Sequence, residues 1–136
     1  MAKPVILVVE NNGEHRASWK DLLEANGYEV LEAGKPKEAH EKVQSRLVHL
    51  ALVDLRTVDD ADENDKSGID FCQKLDHVVA RILITQYSTW PIVRQALLKG
   101  PGDRCIADSY LDKINDSPQM KLDEIQRVLK DRYDVS

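Results

Sequence analysis

The sequence predicts an α/β fold, a parallel sheet of five strands with a helix after each. Three observations carry that expectation. Apolar, β-branched runs alternate with stretches of helical period along the whole chain. The first run, Val5-Ile6-Leu7-Val8-Val9, is continuous rather than alternating, as in a strand covered on both faces. Four of the runs deliver a polar group where the strand should stop: Glu10-Asn11, Asp54, Thr85 and Asp112-Lys113.

The elements follow in order. Val5–Val9 is the first strand. Trp19, Leu22 and Leu23 recur at helical spacing, and Asn26-Gly27 supplies a stop. Tyr28–Ala33 alternates and reads as a short second strand. Pro36 suits a first helical turn, and Ala39 and Val43 mark one face of the second helix. Val48–Leu55 is the third strand. The acid-rich stretch 59–65 reads as an exposed loop. Ile69, Phe71, Cys72 and Leu75 suggest a third helix, and Arg81–Thr85 a fourth strand. Pro91 opens a fourth helix carrying Ile92, Val93, Ala96 and Leu97, closed by Gly100-Pro101-Gly102. The fifth strand covers about Ser109–Asp112. Ser117 is placed to cap the last helix, with Pro118 at its first position and Leu122, Ile125, Val128 and Leu129 as its apolar stripe. Right-handed crossovers make such a series a parallel sheet with helices on both faces.

Composition sets the function classes. The chain of 136 residues, 42% hydrophobic and 32% charged, has the size and balance of one globular domain. The net charge of −5 argues against direct DNA binding, which needs a basic face. No apolar stretch approaches the ~18 residues of a membrane span, and no signal-peptide pattern opens the chain. Cys72 and Cys105 lie outside any C-x-x-C and read as reduced thiols, which fits a cytoplasmic protein. The four histidines show no metal-ligand spacing. Asp60, Asp62 and Asn64 mimic the first, third and fifth positions of a calcium loop. The pattern fails at Asp65, where glycine belongs, and at Phe71, where glutamate belongs. Trp19 and Trp90 read as packing residues, and Tyr110 alone would be half-buried with its hydroxyl at the surface. Open α/β sheets bind ligands beyond the carboxyl ends of their strands. Two acids, a hydroxyl and an ammonium gathered there suggest a site for a phosphoryl group and a divalent cation.

In this order the residues resemble the receiver domain of two-component response regulators, over nearly the whole chain. The markers are Val8-Val9-Glu10-Asn11, Val53-Asp54-Leu55, Ile84-Thr85 and Tyr110-Leu111-Asp112-Lys113. The resemblance implies a single receiver domain over 1–136, a flavodoxin-like, doubly wound (βα)5 fold with sheet order 2-1-3-4-5. It implies that Asp54 is the phosphoacceptor, taking its phosphoryl group from a histidine kinase or a histidine phosphotransfer protein. Glu10, Asn11, Asp54 and the backbone carbonyl of Arg56 would hold Mg²⁺. Lys113, Thr85 and Tyr110 would serve the reaction and the switch. The switch would act on a face made by the fourth helix, the fifth strand and the last helix, which contacts a downstream protein target or forms a homodimer. At most the chain would phosphorylate and dephosphorylate itself at Asp54, with no separate substrate turnover. Arg56 and Tyr87 occupy positions that tune dephosphorylation in the family. No output domain is expected after the last helix.

Several residues depart from the family pattern. Asn11 stands where a second acid is usual, which weakens Mg²⁺ binding. Gln86 stands where a small residue is usual, and Ile114 where proline follows the lysine, so the Lys113–Ile114 peptide is expected to be trans. The loop after the third strand is long, with the family's glycine displaced to Gly68, and the segment before the fifth strand is extended. These departures keep an alternative open: a degenerate receiver acting as a phosphorylation-independent interaction module. A flavin carrier or small enzyme on the same fold lacks support, since no phosphate-binding loop follows the first strand.

Overall fold

The computed structural model describes residues 3–56, 65–85, 97, 105–113 and 115–133. The strands are β1 (Val5–Val9), β2 (Glu29–Ala33), β3 (Leu50–Asp54), β4 (Ala80–Thr85) and β5 (Ser109–Asp112). The helices among the described residues are α1 (Gly13–Glu24), α2 (Pro36–Ser45), α3 (Ser67–Lys74) and α4 (Pro118–Tyr133). The expected helix opening at Pro91, most of the acidic loop, and the positions Gln86, Tyr87, Trp90 and Ile114 lie outside the described residues.

All strands are parallel and their order is β2-β1-β3-β4-β5, the doubly wound flavodoxin-like arrangement. Successive side chains of a strand point to opposite faces. In β1 this sends Val5, Leu7 and Val9 toward α2 and α3, and Ile6 and Val8 toward α1 and α4. The run is continuously apolar because both faces are covered. Trp19 and Leu23 from α1 join Ile125, Val128 and Leu129 from α4 against Ile6, Leu52 and Ile82. Ile69, Phe71 and Cys72 of α3 pack against Val53 and Leu83 on the other face. Each fully buried Leu or Ile contributes about 1.5–3 kcal/mol. Both described cysteines are free thiols. Burial pushes the Cys72 thiol up to about 12, with Arg81 pulling the other way, so it stays protonated and inert.

The element bounds moved at their ends. β3 begins at Leu50 rather than Val48 and ends at Asp54 itself, while β2 begins at Glu29 and β4 at Ala80. Val48 and Leu55 stay buried beyond the ladder, so hydrophobicity continued where pairing had stopped. The stop after α1 is Gly27, at φ +90°, a conformation that costs a side chain strain. Ser117 caps α4, its Oγ accepting the Met120 N–H at 3.1 Å.

Candidate functional site

The register brings four strand ends to one edge. Val9 stands opposite Val53, Asp54 opposite Ile84, and Thr85 opposite Asp112. Glu10 follows β1 directly, Asp54 and Thr85 are the last residues of β3 and β4, and Lys113 follows β5. The Glu10 and Asp54 residues are 0% and 1% exposed, and the Lys113 side chain 7%. Lys113 Nζ lies 2.5 Å from Glu10 Oε2 and 3.1 Å from Asp54 Oδ2. The remaining carboxylate oxygens meet backbone. Glu10 Oε1 accepts the Asn12 N–H at 3.1 Å, and Asp54 Oδ1 accepts the Arg56 N–H at 3.3 Å.

Two carboxyl groups and one ammonium out of water are electrostatically unbalanced. Burial, and then the neighbouring Glu10 charge, push the Asp54 carboxyl up to about 8, while Lys113 works against both. Burial acts to lower the Lys113 pKa, but Asp54 and Glu10 outweigh it and hold the ammonium above the usual lysine range.

The other expected site residues fall around this trio. Thr85 is buried, and its carbonyl accepts the Lys113 N–H at 3.1 Å. Asn11 is half-buried, with its Oδ1 buried and lacking a hydrogen-bond partner among the described residues. Arg56 is buried beside Asp54. Tyr110 is half-buried on β5, paired with Leu83. Its hydroxyl oxygen is buried, which corrects the expectation of a hydroxyl at the surface.

Sequence reading missed three supports of this corner. Asn12 caps α1, its Oδ1 accepting the Glu14 and His15 N–H groups at 3.0 Å each. An Asn two residues before an acidic first turn was the available signal. Arg16 Nη1 donates to the Glu10 carbonyl at 2.8 Å. Lys121 Nζ donates to the Lys113 carbonyl at 3.0 Å. Gly68 was singled out, and its reason is now visible: a Cβ there would stand 2.1 Å from the Asp54 carbonyl oxygen. The start of α3 thus lies backbone-to-backbone on the end of β3, and no other residue fits.

The donors suit a hard cation. Two carboxylates, the orphaned amide oxygen of Asn11 and the carbonyl of Arg56 are all oxygen, which is the preference of Mg²⁺. Among the described residues no group of three His, Cys, Asp or Glu side chains is arranged to hold a metal, so the corner has two acids and an amide in place of three acids.

The family model described as "Response regulator receiver domain" matches residues 6–122. Solved structures share the fold. A CheY-like receiver domain protein from Methanospirillum hungatei JF-1 is 24% identical with a TM-score of 0.77, over 97% of this chain and 98% of that one. The receiver domain of an HD domain-containing protein from Pseudomonas fluorescens Pf-5 is 19% identical with a TM-score of 0.79, over 98% and 92%. The chemotaxis protein CheY4 of Vibrio cholerae is 21% identical with a TM-score of 0.74, over 93% and 99%. No curated protein matches the chain.

Proposed function

The chain belongs to the response regulator receiver domain family of two-component systems, and from that premise we propose that Asp54 accepts a phosphoryl group from a phosphohistidine. The observation that carries the proposal is the buried trio in which Lys113 lies against both Asp54 and Glu10. A carboxylate oxygen of Asp54 attacks phosphorus, the phosphorus–nitrogen bond of the donor breaks, and the donor imidazole nitrogen keeps the electron pair. Asp54 must be deprotonated to react, and its raised pKa means that positive charge gathered at the corner favours the reactive form. Glu10, Asn11 Oδ1, Asp54 and the Arg56 carbonyl would hold Mg²⁺, whose charge would offset that of the carboxylates and the phosphoryl oxygens. Lys113 supplies a compact ammonium to one phosphoryl oxygen, and the Thr85 hydroxyl a hydrogen bond to another. The buried Tyr110 hydroxyl belongs to the same switch, coupling Thr85 to the face made by β5, α4 and the helix expected after Pro91.

In this reading residues 1–136 act as a single cytoplasmic receiver domain. Its donor is a histidine kinase or phosphotransfer protein, and its output is contact with a protein target or a second copy rather than DNA.

One observation favours a second reading. Asn11 brings no charge to the corner, and Lys113 already closes the gap between the two carboxylates. A domain held in that state serves as a binding module independent of phosphorylation. Intact-mass measurement after incubation with acetyl phosphate and Mg²⁺ separates the two. The phosphoacceptor reading predicts one added phosphoryl group, absent in Asp54→Asn and absent with chelator. No added mass in the natural chain supports the binding module instead.

A further inference from the structure

We propose that Lys121 is a positioning residue for Lys113, fixing the backbone from which the Lys113 ammonium reaches the carboxylates. The inference rests on the reading of Asp54 as phosphoacceptor and adds a residue on another element to the machinery.

Lys113 stands at the exit of β5, where the sheet ladder ends. Its N–H is tied back to the sheet through the Thr85 carbonyl at 3.1 Å. Its carbonyl accepts the Lys121 Nζ at 3.0 Å. Both backbone polar groups of Lys113 are therefore bonded, one to β4 and the other to α4. Residue 114 is isoleucine, so no pyrrolidine ring restricts the chain just past Lys113. The bond from Lys121 holds the orientation of that peptide in its place.

Lys121 is itself held. Its Nζ lies 5.1 Å from the centre of the Trp19 ring, within reach of a cation–π contact, and Trp19 is a buried core residue of α1. Both lysines line one groove between α1 and α4, with His15, Trp19 and Pro118. The location is otherwise poor for a cation. Lys121 is the fourth residue of α4, near the positive end of the helix dipole, and no acidic residue occupies the first turn to offset it. The carbonyl and the ring are the groups that make the position favourable.

The geometry leaves little slack. At 2.5 and 3.1 Å from its two carboxylate partners, the Lys113 ammonium is in direct contact with both, and rotation of its own peptide would carry it off one of them. A misplacement of about 1 Å is enough to cost a reaction much of its rate.

The test is a double-mutant cycle on the full chain, measuring phosphorylation by acetyl phosphate with Mg²⁺ alongside the labelling rate of the Lys113 amine by acetic anhydride. Lys121→Met is expected to slow phosphorylation about ten-fold, the low end of the worth of one charge-assisted hydrogen bond. It should also speed labelling of Lys113 to a similar degree, and Lys121→Arg, which keeps a cationic donor, should restore both. In a Lys113→Met background Lys121→Met should have no further effect on phosphorylation. An equal slowing in that background, or unchanged labelling of Lys113, overturns the proposal. A natural chain that gains no phosphoryl group overturns the phosphoacceptor reading, while the labelling arm still decides the role of Lys121.

Discussion

At the amino edge of the sheet Arg81 is buried and its five N–H donors make five bonds, whereas at the carboxyl edge Glu10 and Asp54 are buried around a shared ammonium. The Arg81 guanidinium donates to the carbonyls of Cys72, Leu75, Asp76 and Val79 at 2.6–3.3 Å. Asp108 accepts the Arg81 N–H at 2.8 Å and takes Arg132 Nη1 on both its oxygens at 2.7 Å. The Tyr133 hydroxyl meets the His49 and Val78 carbonyls and accepts the Ala80 N–H at 3.3 Å. His49 Nδ1 accepts the Val5 N–H at 3.0 Å. The two ends hold the same kinds of side chain. At one end the protein satisfies them, and α3 and α4 are tied to the strand starts. At the other Asp54 is held far from its ordinary pKa and the Asn11 Oδ1 lacks a hydrogen-bond partner among the described residues, a combination that supports the proposed site. In the proposed reading, stability and chemistry belong to opposite edges of one sheet.

That division is open to attack from either edge, and among substitutions that disturb packing and hydrogen bonding the largest effect belongs to the amino edge. Arg81→Met removes five hydrogen bonds to four carbonyls, of which those of Cys72 and Asp76 keep a backbone donor, and should lower the unfolding free energy by about 3–5 kcal/mol, read by urea denaturation. The affinity of the folded fraction for Mg²⁺ should not change. A loss of Mg²⁺ affinity in the folded variant would join the two edges and dissolve the contrast.

Gly68→Ala is the corresponding change at the carboxyl edge. Its Cβ has no room beside the Asp54 carbonyl, so α3 or the end of β3 must move. A loss of about 1–3 kcal/mol is expected. Here the damage to stability should come with damage to phosphorylation, because the displaced backbone carries Asp54.

A third experiment uses pH. The folded Asp54 carboxyl, at about 8, binds its proton more tightly than in the unfolded chain, near 3.8. The stability this confers is complete below the unfolded value and is lost as pH rises toward and through the folded one. Without a divalent cation, the unfolding free energy should fall with pH between about 4 and 8, with a slope from this group of at most ~1.4 kcal/mol per unit. Asp54→Asn should remove that part of the slope. Mg²⁺ should recover stability mainly at the alkaline end, where the carboxylate is free of its proton. Denaturation curves across the pH range, with and without Mg²⁺, check each arm.

The smallest effect sharpens the comparison. Asn11→Asp restores a third acid to the corner and should tighten Mg²⁺ about ten-fold by calorimetry, since ligand charge count sets affinity for hard cations. An unchanged affinity would mean that the Asn11 oxygen does not face the cation.

The two edges were unequally legible in the sequence. Glu10, Asp54, Thr85 and Lys113 could be placed because each follows a strong apolar run, and strand ends of a parallel sheet converge. Sheet order came through the resemblance, not from periodicity. Arg81 was read only as the opening of a strand. Its partners are carbonyls scattered over Cys72–Val79, and backbone carbonyls leave no mark in a sequence. The bond from Lys121 was invisible for the same reason. Asn12 is different: a helix cap has a local signature, an Asn just ahead of an acidic first turn at Glu14.

The most direct test of the carboxyl edge as a phosphoryl site is ¹⁹F NMR of the chain with Mg²⁺ and beryllofluoride, a mimic of the aspartyl phosphate. The account predicts a bound fluoride signal that vanishes in Asp54→Asn and weakens in Lys113→Met. No bound signal in the natural chain at saturating Mg²⁺, or one that survives Asp54→Asn, would contradict it.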